Sequence, residues 1–260
     1  MSAAASSTHP APVSAVLFDL YGTLIDIRTD EEDPGVYAAL SQYLAYLNVW
    51  ISPEDLRREY RSRVRASLDR SPGGHPEVDV HQIFLDMVTA HRRAGPAPVD
   101  GGGPDAAPDL SCLALATAGL FRTLTRRTFG VFPEVHQTLE RLQVRYRLGI
   151  VSDAQWVFTD PELEMADLAR FFPVIILSSR VGRKKPDPRI FAEAVGRLGV
   201  RAAETVYVGD SPERDLVGAR NAGIRCILFR TEDACYDGLQ ADACFRSYTD
   251  LAVLLDRIAQ

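Results

Sequence analysis

Thr205-Val206-Tyr207-Val208-Gly209-Asp210-Ser211-Pro212-Glu213-Arg214-Asp215 is an apolar run that ends in a glycine and an aspartate and passes into a helical pattern. A continuous apolar run this short reads as a strand buried on both faces of a parallel sheet. Similar runs lie at Ala15–Asp19, Leu148–Ser152, Val174–Ser178 and Arg225–Phe229. Helical patterns fall between and after them, over Pro133–Val144, Pro188–Leu198, Glu213–Ala222 and Tyr248–Ile258. Pro133 and Pro188 suit a first helical turn, where the missing N–H is unused, and Gly199 and Gly223 suit helix ends. Strand–helix alternation of this kind predicts an α/β fold with a doubly wound parallel sheet.

The stretch from about Ile27 to Phe129 breaks that rhythm. It carries no convincing strand and reads as helices over Pro34–Leu47, Pro53–Leu68, Val80–Arg92 and Leu110–Arg126. Gly/Pro-rich breaks at Ser71–Pro76 and Gly95–Pro108 interrupt it, and the second reads as a mobile loop over 95–108. The predicted organisation is a disordered tail at 1–12, a core at 13–27 and 130–260, and a helical domain inserted at 28–129.

Bulk composition narrows the function. The 260 residues are 46% hydrophobic and 25% charged with a net charge of −6, an ordinary globular balance. No basic face recommends nucleic acid as a partner, and no apolar stretch approaches the roughly 18–20 residues that span a bilayer. Cys112, Cys226, Cys235 and Cys244 show no C-x-x-C spacing, so neither a zinc knuckle nor a redox motif is indicated, and Cys226 reads as a buried hydrophobe. A reducing cytoplasmic location is the expectation.

Four segments carry candidate chemistry: Asp19 after Val16-Leu17-Phe18, Ser152 after Gly149-Ile150-Val151, Lys185 before Pro186-Asp187-Pro188, and Asp210 after Val208-Gly209. In open α/β sheets ligands bind beyond the carboxyl ends of the strands, where Asp19 would stand. A carboxylate there can attack phosphorus or carbon; it can also simply cap a turn. Asp19 with Asp210 and Asp215 would make an oxygen-rich Mg²⁺ site, although Asp215 also suits a helix cap. The Ser152 hydroxyl could hold a phosphoryl oxygen, and Lys185, with its direction constrained by the following proline, could offset charge and steady Asp19. Arg57, Arg61 and Arg65 share a helix face that reads as solvated, and Tyr37, Tyr43, Tyr46 and Trp50 read as packing between helices. His75, His81 and His91 show no ligand-like clustering.

Together these segments resemble the four motifs of the haloacid dehalogenase-like hydrolase superfamily. Asp19-Leu20-Tyr21-Gly22-Thr23 is similar to the first, Ser152 to the second, Lys185-Pro186-Asp187-Pro188 to the third, and Gly209-Asp210-Ser211 through Asp215 to the fourth. The resemblance implies a Rossmann-like core with a helical cap domain of the first type and an Asp19 nucleophile. It also implies Mg²⁺ held by Asp19, Asp210 and the Tyr21 backbone carbonyl, with Asp215 acting indirectly.

One position departs from the pattern. Phosphatases of the family usually place an acidic general acid two residues after the nucleophile, where this chain has Tyr21, as the family's dehalogenases do. Those dehalogenases are metal-independent and lack the acidic fourth motif that this chain keeps. The resulting expectation is a Mg²⁺-dependent phosphatase working through an aspartyl-phosphate on a small anionic, phosphorylated substrate, as a monomer or homodimer. The alternatives are a metal-independent 2-haloacid dehalogenase and a catalytically weak binding or regulatory member.

Overall fold

The computed structural model describes residues 11–69, 75–93, 109–231 and 234–258. The expected loop at 95–108, most of the expected tail at 1–12 and part of the 71–76 break lie outside them. The chain divides into two compact units. One comprises Met1–Asp26, Gly130–Asp153 and Leu163–Gln260; the other comprises Ile27–Phe129 and Ala154–Glu162.

The first unit is built on a six-stranded parallel sheet. Its strands are β1 (Ala15–Phe18), β4 (Arg147–Ser152), β5 (Val174–Leu177), β6 (Thr205–Gly209), β7 (Arg225–Phe229) and β10 (Ala243–Phe245), in the order β10-β7-β6-β1-β4-β5. Every residue of β1 and β6 is buried, as their unbroken apolar runs require. Phe18 pairs in register with Ile150 on one side and Val208 on the other, which brings the carboxyl ends of β1, β4 and β6 together. The helix α8 (Pro188–Leu198) starts where Asp187 accepts from Arg189 N at 2.9 Å and ends at Gly199 with φ 65°. Its Ile190, Phe191, Ala194 and Leu198 pack with Leu17, Val151, Tyr207, Leu216 and Cys226 in one core cluster.

Several elements differ from the sequence expectation. The helix expected over 133–144 is shorter, α5 (Val135–Leu142), with Glu134 left-handed at φ 62°. The helix expected over 213–222 begins as a π-helical turn, Pro212–Leu216, and continues as the α-helical turn α9 (Val217–Asn221). Two strands, β2 (Ile25–Thr29) and β3 (Arg126–Val131), form a ribbon at the ends of the stretch read as strand-free. They were missed because Asp26, Arg28, Arg126 and Arg127 interrupt their apolar residues, so no apolar run marks them. A helix α6 (Trp156–Met165) and a small hairpin of β8 (Cys235–Tyr236) and β9 (Leu239–Gln240) are also additions. The C-terminal helix α10 (Tyr248–Ile258) and the four-residue α7 (Ser178–Val181) complete the first unit.

The second unit holds α1 (Pro34–Tyr46), α2 (Pro53–Asp69), α3 (Val80–His91) and α4 (Leu110–Thr125). Its core gathers Tyr37, Leu40, Leu56, Tyr60, Phe84, Met87, Ala118 and Phe121, joined by Val157 and Phe158 of the 154–162 segment. That segment is fixed by polar contacts too. Gln155 accepts from Val80 N at 3.0 Å, and the buried Glu162 carboxylate takes a two-pronged contact from Arg122 at 2.8 and 3.0 Å. Tyr37 is buried as read, but Tyr46 is 87% and Trp50 49% exposed, so neither packs between helices. Arg57 and Arg61 both pair with Glu32. Among the described residues no helix is long and apolar enough to cross a membrane.

Candidate active site

The carboxyl ends of β1, β4 and β6 and the loop entering α8 deliver the predicted site residues to one place in the first unit. Asp19 follows β1 directly, and its backbone N–H donates to Val208 O at 2.8 Å, tying it to β6. Ser152 is the last residue of β4, buried and paired with Leu177. Lys185 is placed by its own backbone N–H, which donates to Asp153 Oδ1 at 2.9 Å.

Lys185 is the buried hub. Its Nζ lies 2.9 Å from Asp19 Oδ1 and donates to Asp215 Oδ1 at 2.7 Å and to Tyr207 Oη at 3.0 Å. Of the three N–H donors of the ammonium, two are spent on Asp215 and Tyr207, and Asp19 stands beside it as an ion pair. Burial opposes its charge, yet Asp19, Asp215 and Asp153 together hold its pKa above the ordinary lysine value.

Asp215 is fully buried and its oxygens are taken. Oδ2 accepts from Asp210 N at 3.0 Å and Ser211 N at 2.9 Å, while Oδ1 faces Lys185 and Tyr207. Gly209 makes this approach possible: a Cβ there would stand 2.3 Å from Asp215 Oδ2. Gly22, at φ 86°, does the same for Asp210, since its Cβ would stand 2.4 Å from Asp210 Oδ2.

Asp19, Asp210 and Asp215 each offer an oxygen within 4.8 Å of the others. Asp19 Oδ1 is buried without an aligned hydrogen bond, and Asp210 receives only a long one from Thr23 Oγ1 at 3.5 Å. Asp19 and Asp210 thus retain ligand capacity that Asp215 has spent on the protein. An all-oxygen carboxylate set with open lone pairs fits a hard divalent cation such as Mg²⁺.

Three residues at the site, Tyr207, Asp153 and Tyr248, were not foreseen. Tyr207 Oη donates to Val151 O at 2.8 Å while accepting from Lys185, so it joins β6, β4 and the lysine. Its only sequence signal was a polar tip inside an otherwise aliphatic run. Asp153, beside Ser152, anchors Lys185 N, and Tyr248 Oη donates to Thr23 O at 2.7 Å under the loop after Asp19. Such contacts span up to 225 positions of chain and leave no local pattern. Tyr21, half-buried at the loop, occupies the position expected of it.

Residues 120–229 match the family model described as haloacid dehalogenase-like hydrolase. A 2-haloacid dehalogenase structure from Pseudomonas syringae pv. Tomato superposes with TM-score 0.65 at 26% identity, covering 94% of this chain and 99% of that one. The chain is thus similar to haloacid dehalogenase-like hydrolases over residues 120–229 and in its fold. Its curated relatives include a glyceraldehyde 3-phosphate phosphatase from Methanopyrus kandleri, 28% identical over 84% of each chain. They also include the phosphoglycolate phosphatase of Escherichia coli, 28% identical over 92% of this chain and 91% of that one.

The electrostatics of the site are dominated by crowded carboxylates. Burial, and then the Asp19 and Asp215 charges, push the Asp210 carboxyl up to about 6. Burial likewise raises Asp153, partly offset by Lys185. The phenol of Tyr207 is raised well above 10, by burial first and then by Asp215 and Asp19, so it stays neutral and can both donate and accept.

Proposed function

We propose that this hydrolase is a Mg²⁺-dependent phosphatase that acts on a small phosphorylated metabolite through an aspartyl-phosphate on Asp19. The observation that carries the reading is the convergence of Asp19, Asp210 and Asp215 on one point beside a buried lysine. Three carboxylates against one ammonium leave excess negative charge, which suits a site that receives a divalent cation. The phosphatase relatives support the same substrate class.

The Asp19 carboxylate attacks phosphorus, the ester oxygen leaves, and water then releases phosphate from the acyl phosphate. Lys185 pairs with Asp19 and orients it for attack, and Tyr207 and Asp215 hold Lys185 in turn. Ser152, at the end of β4, hydrogen-bonds a phosphoryl oxygen. Asp19 and Asp210 would hold the metal together with the Tyr21 carbonyl, with Asp215 acting indirectly. Mg²⁺ would supply a counter-charge for nucleophile and phosphoryl group. The helical unit acts as the substrate-selecting cap, and the protein works in the cytoplasm.

Tyr21 favours a second reading. A phenol near pKa 10 protonates an alkoxide poorly, whereas a halide leaves without a proton, and one matched structure is a 2-haloacid dehalogenase. A metal-free dehalogenase would have no use for an open Asp210 carboxylate beside Asp19, so this reading ranks second. Release of phosphate from a panel of phosphate esters and acyl phosphates, with Mg²⁺ and with chelator, beside Asp19→Asn, is the test. Release that requires both metal and Asp19 is expected. Metal-independent halide release from 2-haloacids with no phosphate release would overturn the reading.

A further inference from the structure

Lys185, the buried cation of the site, is committed to the protein. Its Nζ donates to Asp215 and Tyr207 and lies 2.9 Å from Asp19 Oδ1, and the residue is 3% exposed. A phosphoryl dianion entering beside Asp19, Asp153, Asp210 and Asp215 therefore gains from a second cation in the unit.

Arg214 meets that description. It lies between Asp210 and Asp215 in sequence, on the π-helical turn that follows β6. Its Nε donates to Ser211 Oγ at 3.2 Å, and its Nη1 stands 3.9 Å from Asp153 Oδ2, beyond hydrogen-bond reach. Asp153 in turn holds the backbone of Lys185 at 2.9 Å, so the guanidinium sits over the end of β4, where Ser152 lies. The Arg214 side chain is 47% exposed. Its terminal nitrogens make no hydrogen bond among the described residues. Burial opposes its charge, but Asp215, Asp19, Asp153 and Asp210 all favour it, which places the guanidinium within the field of the carboxylate cluster.

We propose that Arg214 binds the substrate directly, its terminal guanidinium nitrogens donating to anionic phosphoryl oxygens. Guanidinium and phosphate match as a two-pronged, charge-assisted pair. The half-exposed position suits a group that meets the ligand on entry, whereas the buried lysine serves the nucleophile. The assignment rests on the phosphatase reading.

The test compares the full chain with Arg214→Gln and Arg214→Lys in steady-state kinetics and in inhibition by inorganic phosphate. Two esters are used, one bearing a carboxylate and one without. With Arg214→Gln, KM for both esters and Ki for phosphate should rise about 10- to 100-fold, the range for one charge-assisted contact. In the same variant kcat should change less than KM. Arg214→Lys, which keeps the charge without the fork, should fall between and carries the test if Arg214→Gln does not fold. A loss of kcat at unchanged KM and Ki would assign Arg214 to holding Asp153 and overturn the proposal. So would a KM rise confined to the carboxylate-bearing ester, which would move the contact off the phosphoryl group. Wild-type protein that turns over esters while Arg214→Gln keeps its KM and Ki overturns the Arg214 assignment alone. Wild-type protein that neither turns over esters nor binds phosphate overturns both readings.

Discussion

Replacing Tyr207 with Phe deletes one oxygen at the centre of the site. The ring should stay, because it packs edge-on against Phe191 with centroids 4.9 Å apart. Two interactions dominate the loss, beside a longer 3.2 Å contact with Asp215 Oδ1. The 2.8 Å bond to Val151 O is a neutral one, worth about 0.5–1.5 kcal/mol net, and the 3.0 Å bond from Lys185 involves a charge, worth about 1.5–3 kcal/mol. Both Val151 O and one Lys185 N–H would be left buried and unpaired. The two terms share one atom and need not add, so a total loss of about 2–4 kcal/mol is expected. At about 2–4 °C per kcal/mol for a unit of this size, the melting temperature should fall by roughly 4–16 °C. Urea denaturation and calorimetry give the stability, and phosphate release gives kcat, which should fall because Lys185 loses one of the contacts that aim it at Asp19. Tyr146→Phe is the internal control. The Tyr146 hydroxyl is buried with no partner among the described residues, so its removal should be neutral or stabilise by up to about 1 kcal/mol. A Tyr207→Phe protein within about 0.5 kcal/mol of wild type with undiminished kcat would refute the argument. So would a Tyr146→Phe protein that loses as much stability.

Tyr21→Asp should speed hydrolysis of esters with poor leaving groups by about 10²–10⁴-fold, the usual worth of a general acid, while acyl phosphates gain little. Comparing kcat/KM across a leaving-group series checks this, and an equal effect on all substrates would count against it. Glu162→Gln should destabilise the helical unit by about 3–5 kcal/mol, because it strips the charge from a buried carboxylate held by Arg122 at 2.8 and 3.0 Å. Trp50 and Trp156, the only tryptophans, both lie in that unit, so a urea titration followed by fluorescence reads it directly. Adding Mg²⁺ at about 100 times its dissociation constant should stabilise the chelated protein by about 2.7 kcal/mol. Asp210→Asn should abolish most of that gain in a thermal shift assay; an equal gain in the variant would remove Asp210 from the metal site.

Much of this protein could be read without coordinates. The strands β1, β4, β5, β6 and β7 announce themselves because burial on both faces demands unbroken Val, Ile and Leu, and the polar residue ending such a run must fall at the sheet's carboxyl edge. That is why Asp19, Ser152 and Asp210 were legible as site residues from local pattern alone. What the sequence left open depends on contacts between distant positions. The ribbon strands β2 and β3 mix charged and apolar residues with no continuous apolar run, so only their pairing defines them. Residues 154–162 look like the continuation of a core segment, yet Gln155, Phe158 and Glu162 find their partners in the helical unit. Tertiary structure alone decides that Lys185 is buried against Asp19, Asp215 and Tyr207 while the terminal nitrogens of Arg214 make no hydrogen bond among the described residues. Hydrogen-bond capacity is spent in three dimensions, and a sequence names the donors without saying which acceptors they reach.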